Sequence, residues 1–193
     1  MSSAHEPKML YRIVWPAEVK LLEAHLIRLA PEDRKMRFCG MLNDEAIQNY
    51  CDKIEWSKTT KLGCFIDGVL RGVADIVLMP SNYRYDAELA ITVEKSYQNQ
   101  GIGTALLRKS LDVARNRFIR TAHLYCLRDN VKMCHIAKKF EGNLIIDGSD
   151  VEGKLSTPWP SYQSLVEEAM LNGQAIWSAT FTAAMPPRPL SAL

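Results

Sequence analysis

The chain has no C-x-x-C pair. Its five cysteines, Cys39, Cys51, Cys64, Cys126 and Cys134, are odd in number and scattered. That speaks against a disulfide framework or a zinc site and for reduced thiols in a cytoplasmic setting, with no metal expected. No apolar run reaches the roughly 18 residues of a membrane helix. The start, MSSAHEPKMLYRIVW, lacks the charged-then-apolar pattern of a signal peptide. The net charge is only +2, and no long basic run occurs, so neither nucleic acid nor a membrane is expected as a partner. Internal repeats are absent, and the Pro-rich end, residues 185–193, reads as a loose tail. What is present is 193 residues, 47% hydrophobic and 24% charged. That is the profile of one globular domain with a real core.

MLYRIVWP reads as a first strand closed by Pro16. In AEVKLLEAHLIRL, Val19, Leu22, Leu26 and Leu29 recur at helical spacing until Pro31 interrupts. PEDRKMRFCG reads as a charged connector. NDEAIQNYCDKIEW is a second helix with Asn43 as N-cap. KLGCFID and VLRGVADIVLMP are strands around a tight Asp67-Gly68 turn. YDAELAITVE is the third consecutive strand, and a helix from Gly101 to about Arg117 follows. TAHLYCLRD is another strand. Asn130 caps the helix VKMCHIAKKF, and Gly142 reads as its C-terminal glycine. NLIID and VEGKLST pair around Gly148, and a last helix spans about 161–172. This order predicts an α/β fold, a mixed sheet with helices on its faces.

The joint Gln98-Asn99-Gln100-Gly101-Ile102-Gly103-Thr104 follows a strand and opens a helix. Unpaired amides and the positive end of the helix dipole would point outward there, and glycine permits close approach. A phosphate fits such a cradle, and a simple glycine turn is the plainer alternative. The Walker pattern is excluded, because Gly103 is followed by Thr104-Ala105. The Rossmann fingerprint is excluded by Leu106, where a third small residue belongs.

Gln-x-x-Gly-x-Gly after the strand ELAITV resembles the acetyl-coenzyme A signature of the Gcn5-related N-acetyltransferase (GNAT) superfamily. The order of elements from Met9 to about Thr157 resembles that fold too. The resemblance implies a mostly antiparallel sheet whose fourth strand, near Glu88 to Val93, bulges and splays from the fifth, near Ala122 to Leu127. It implies that acetyl-coenzyme A binds there. Pantetheine would pair with the backbone of Ile91 and Val93, flanking Thr92, and pyrophosphate would lie on the amides of Gln98, Asn99, Gln100, Gly101, Ile102, Gly103 and Thr104. Asn130 resembles the family asparagine that contacts the cofactor arm, and as a plain N-cap it would serve equally.

Acetyl transfer needs a neutral amine, and a lysine-like amine with a pKa near 10.4 arrives protonated. A base must take that proton. By resemblance the base is Glu88, which a solvent-facing strand residue would otherwise explain; Glu94, Asp75 and Asp86 are rivals. The backbone N–H of Val93 is the implied oxyanion donor. The tyrosine many family members carry in the helix after the asparagine falls here on Ala137; the thiolate would then leave unassisted or take a proton from water, with Tyr97 and Tyr125 as the other hydroxyls to consider. Cys126 and Cys134 read as buried structural thiols rather than nucleophiles. The group Arg28, Arg34 and Arg37 reads as a solvated helix end or a site for an acidic substrate.

The stretch Arg28-Leu29-Ala30-Pro31-Glu32-Asp33-Arg34-Lys35-Met36-Arg37-Phe38 resembles the branch with bacterial protein-lysine acetyltransferases. That branch favours a protein lysine as acceptor. A small-molecule amine, and a catalytically silent acyl-coenzyme A sensor on the same fold, stand as alternatives. The late strands and the helix near Ser161 offer a surface for a homodimer.

Overall fold

The computed structural model describes residues 8–79, 86–170 and 173. Thirteen elements follow in chain order: β1 (Met9–Val14), α1 (Val19–Arg28), α2 (Pro31–Phe38), α3 (Asp44–Asp52), β2 (Thr59–Ile66), β3 (Val69–Leu78), β4 (Asp86–Val93), α4 (Ile102–Asn116), β5 (Thr121–Leu127), α5 (Val131–Lys139), β6 (Asn143–Asp147), β7 (Asp150–Ser156) and α6, residues 162–170. The C-terminal tail and the last two residues of the expected final helix lie outside the described residues. Among the described residues, no helix is long and apolar enough to cross a membrane.

The strands form one sheet in the order β1-β2-β3-β4-β5-β7-β6. Only β4 and β5 run parallel; the other neighbours are antiparallel. The β2–β3 turn places Asp67 at φ 49° and Gly68 at φ 81°, the left-handed pair that a two-residue hairpin with native twist requires. One face of the sheet packs on α4 and α5 through Leu89, Leu124, Leu106, Leu107 and Ala137. The other receives α1 and α3, whose Leu22, Leu26, Ile47 and Cys51 close over Val73. The Asn43 side chain accepts from the Ala46 N–H at 2.8 Å, starting α3 as expected.

Three local expectations are corrected. The stretch after Pro31 is a helix, not a connector: Pro31 sits at its first turn, where its missing N–H costs nothing. Its Arg34 donates to the carbonyls of Ile27 and Leu29 and to Asp44, 2.8 Å away, fastening α1 to α3. No bulge interrupts β4, whose register with β3 is continuous from Leu78↔Ala87 to Gly72↔Val93. The irregularity falls instead between β2 and β3, where the step from Cys64↔Gly72 to Phe65↔Leu70 leaves Arg71 over. Gly142 is not the left-handed residue ending α5; Glu141 is, at φ 56°. Gly142 is small because a Cβ there would lie 2.9 Å from the Ala137 carbonyl oxygen and 2.8 Å from Leu155 Cδ2.

Candidate active site

β4 and β5 pair from Asp86↔Thr121 to Leu89↔Leu124 and then separate. Past that point β4 stays with β3 and β5 stays with β7. The Met79 N–H bonds the Asp86 carbonyl at 3.1 Å, and the Glu94 N–H bonds the Arg71 carbonyl at 2.9 Å. Strand alternation between those two bonds directs the peptide groups of Glu88, Ala90 and Thr92 toward β3 and those of Leu89, Ile91 and Val93 toward β5. Where β5 departs, Ile91 and Val93 therefore face an opening. A cavity of about 550 Å³ occupies it, walled by β4, β5, α2, the Gln98–Thr104 joint and α5.

One of those open groups is already engaged. Gln98 Nε2 donates to the Val93 carbonyl at 2.9 Å and lies 3.1 Å from Asp33 Oδ1 of α2. Its Oε1 accepts from Lys132 Nζ of α5 at 2.5 Å. Gln98 thus joins three walls of the cavity through its side chain, whereas the expectation for it concerned its backbone amide.

The glycine joint fits a phosphate for reasons that differ between its two glycines. Gly101 is the N-cap of α4 at φ 81°, with open space around its Cβ position. No side chain caps the helix and no acid stands in its first turn. The first-turn amides of Ile102, Gly103 and Thr104 therefore have no partner within the helix. Gly103 is closely packed: a Cβ would lie 3.1 Å from Ile136 Cδ1, the tip of a side chain of α5. Lys132 and Lys139 line the same cavity from α5 and add positive charge, and His135 lines it between them. Amides at a helix N-terminus beside lysines suit the pyrophosphate of coenzyme A.

The opposite face of β4 carries Glu88, Ala90 and Thr92. Thr92 touches the cavity, but its hydroxyl is bonded to His25 Nε2 at 2.9 Å. Glu94 is enclosed by Arg28 and Arg71, each at 2.9 Å, and by His25 Nδ1 at 3.1 Å. Burial opposes its charge, but the bonds from His25, Arg71 and Arg28 outweigh burial and hold its pKa below the usual range. Asp75 is paired with Lys61 at 2.9 Å and Arg37 at 2.6 Å. Burial again opposes, and those two cations win, bringing its pKa down to about 2. Asp86 bonds His123 at 3.0 Å. Each rival base thus has strong partners. Glu88, half-buried, accepts no hydrogen bond among the described residues and feels Arg37 only through space.

Of the residues expected in the site, Ile91, Thr92, Val93, Gln98, Asn99, Gly101, Gly103, Thr104 and Asn130 line the cavity. Gln100, Ile102 and Glu88 do not: Ile102 is buried in the core, and Gln100 bonds the Ser96 carbonyl at 3.1 Å. Glu88 lies one residue before Leu89, where the lining begins. Asn130 caps α5, accepting from the Met133 N–H at 3.1 Å. Ala137 is buried against Gly153 of β7, so its position turns away from the cavity. Tyr125 lines the cavity and donates to Glu152 Oε1 at 3.1 Å; Tyr97 instead lies under Arg71. Burial first, then neighbouring Cys134, pushes the Cys126 thiol up to about 12, which leaves it a poor nucleophile. Arg28, Arg34 and Arg37 are each paired, with Glu94, Asp44 and Asp75 respectively, and Arg28 stays exposed at the end of α1. Among the described residues no three His, Cys, Asp or Glu side chains gather as a metal site. Sequence reasoning missed Asp33 and Met36, because α2 was read as connector; its signal was Pro31 followed by two acids, an ordinary helix start.

Residues 20–142 match the model of the acetyltransferase (GNAT) family. The chain belongs to that family, and the protein is an acetyltransferase whose acetyl donor is acetyl-coenzyme A. No significant match is found among curated proteins. Among solved structures, the GNAT domain of S. lividans PAT is similar at a TM-score of 0.67 and 18% identity, covering 81% of this chain and 99% of that one. A ribosomal-protein-alanine N-acetyltransferase from Brucella melitensis matches at a TM-score of 0.59 and 16% identity, over 75% and 97%. The PaiA N-acetyltransferase from Thermoplasma acidophilum, in complex with coenzyme A, matches at 0.56 and 20% identity, over 77% and 99%. At these identities the likeness is one of fold.

Proposed function

We propose that the protein transfers the acetyl group of acetyl-coenzyme A to a primary amine, with a protein lysine as acceptor and Glu88 as general base. The observation that carries the reading is the isolation of Glu88. Among the described residues it is the carboxylate on its face of β4 that no hydrogen bond engages, while Asp75 and Glu94 are tied to cations and Asp86 to His123. A base must keep a lone pair open for the proton it takes. Glu88 stands one residue outside the cavity lining, so one water carries the proton from the lysine ammonium to its carboxylate.

Acetyl-coenzyme A supplies an acyl group activated as a thioester. The Val93 N–H, turned toward the splay, donates to the acetyl oxygen as its charge grows. The amides of Gly103 and Thr104, with Lys132 and Lys139, hold the pyrophosphate, and Ile91 offers its peptide group to the pantetheine arm. Support for a cationic acceptor comes from the carboxylates of Asp86, Glu88 and Glu152 on one face of β4, β5 and β7.

The test is mass spectrometry of a cell lysate incubated with acetyl-coenzyme A and either the protein or Glu88→Gln. New acetyl-lysines should appear with the protein. The variant should be slower by about 10²–10⁴-fold, the usual worth of a positioned base, with acetyl-coenzyme A affinity unchanged. Full turnover by Glu88→Gln at neutral pH would defeat the base assignment. Acetylation confined to small amines would defeat the lysine assignment.

A further inference from the structure

His123 stands beside Glu88 in the β4–β5 ladder. Its Nε2 lies 3.0 Å from Asp86 Oδ2 and its Nδ1 lies 2.9 Å from Glu152 Oε1. An ionised carboxylate only accepts hydrogen bonds, so both contacts are made together only by the doubly protonated ring. The ring, with its side chain 8% exposed, is thus held between two carboxylates. The Tyr125 ring stacks against it, with centroids 6.1 Å apart at 12°, and gives its hydroxyl to the same Glu152 oxygen. Lys154 of β7 approaches the other Glu152 oxygen at 3.4 Å. The Glu152 pKa is lowered, first by the bond from His123, against a small opposing effect of burial.

Asp86 shares the strand and face of Glu88, and across His123 the β5–β7 ladder brings in Glu152 and Lys154. Arg37 reaches over from α2, and Asp75 of β3 is neutralised by Arg37 and Lys61. Without a cation at position 123, Asp86 would lose its partner two residues from Glu88, and Glu152 would keep only Lys154 and the Tyr125 hydroxyl.

We propose that His123 is a positioning residue for the acetyl transfer: as an imidazolium it balances Asp86 and Glu152, keeps both fastened, and leaves Glu88 as the ionised carboxylate open to the acceptor. The inference rests on the reading of Glu88 as base. It goes beyond that reading by assigning the charge that keeps the base in its working form.

Removing a neighbouring cation favours the protonated form of a carboxylate. In His123→Gln the acid limb of the rate profile should therefore move to higher pH, by about one unit. His123→Lys restores the charge but not the ring, and should return the limb to its wild-type place. A structural role predicts the reverse order, since glutamine keeps a neutral hydrogen-bonding side chain of similar size. The assay is coenzyme A release with Nα-acetyl-lysinamide as acceptor, from about pH 5 to 9. An unmoved limb in His123→Gln, or a limb shifted only in His123→Lys, overturns the inference.

A second measurement needs no variant to fold. Imidazole ¹⁵N resonances of His123 in the wild-type protein should report both nitrogens protonated at neutral pH, and an unprotonated nitrogen overturns the inference directly. Glu88→Gln separates the two readings. If it keeps rate and acid limb, the base assignment fails. If it loses the limb while His123→Gln leaves it in place, only the role of His123 fails.

Discussion

Gln98 closes the backbone of Val93: its side-chain amide gives the Val93 carbonyl a hydrogen bond at 2.9 Å where β5 has already turned away. A strand that loses its neighbour leaves a peptide group unpaired, which is costly when buried. The carbonyl is satisfied by a side chain from the next turn, and the N–H of the same residue is left facing the opening. Because Gln98 also meets Asp33 and Lys132, its loss should loosen the cavity on three sides. Gln98→Ala should weaken acetyl-coenzyme A binding about tenfold, the equivalent of one net hydrogen bond of roughly 1.4 kcal/mol. Gln98→Glu should be worse, since it sets a carboxylate against the Val93 carbonyl and Asp33. Titration calorimetry with acetyl-coenzyme A decides this; affinity within twofold of wild type in both variants would show that the clasp is incidental.

The two glycines of the joint should respond differently to alanine. At Gly101 there is room but the backbone is left-handed, so Gly101→Ala should lose about 1 kcal/mol of stability through strain alone. At Gly103 the backbone is ordinary and the obstacle is the tip of Ile136, 3.1 Å from a Cβ. That side chain can yield, so Gly103→Ala should unfold close to wild type while altering the α4–α5 contact at the cavity wall. Thermal unfolding with and without acetyl-coenzyme A separates the effects. Equal destabilisation by both substitutions would contradict the geometry.

Periodicity carried most of this fold. Leu22, Leu26 and Leu29 mark one face of α1, and the strands declare themselves by β-branched runs and by Asp67-Gly68. Legibility failed where two physical demands share a residue type. Gly142 has the position of a C-terminal glycine, but Glu141 bears the left-handed conformation and Gly142 answers a packing demand from Ala137 and Leu155. No local pattern separates those cases, because the second depends on a strand met thirteen residues later. The site divides the same way. The glycine joint is contiguous and could be read; the bracket of His123 between Asp86 and Glu152 unites three strands and exists only once the sheet has formed. Likewise Arg28, Arg34 and Arg37 look like a basic surface until their partners, 66, 10 and 38 positions away, are known.

On the sheet face covered by α1 and α3, Asp75 makes a prediction about acid stability. It accepts from Arg37 at 2.6 Å, contacts Lys61 Nζ at 2.9 Å and accepts from the Tyr50 hydroxyl at 3.2 Å. Its pKa is about 2 in the folded chain against an ordinary 3.8. A carboxyl whose folded pKa is depressed stabilises the fold above its unfolded pKa, and that contribution is lost as pH falls through the folded value. The window is therefore from about pH 4 down to pH 2, and the shift corresponds to roughly 2–3 kcal/mol. Asp75→Asn should cost more than that at neutral pH, about 3–5 kcal/mol, because Lys61, 1% exposed, is left as a buried cation without a counter-ion. Replacing both residues, as Lys61→Met with Asp75→Asn, should recover part of the loss, since the Lys61 charge is gone while Arg37 still lacks its carboxylate partner. Urea unfolding at neutral pH measures the first two effects. Repeating it between about pH 4 and pH 2 should show the wild type losing stability faster than the double variant, whose position 75 no longer titrates. Parallel acid profiles for the two proteins would mean that other carboxylates, Glu94 first among them, govern acid unfolding.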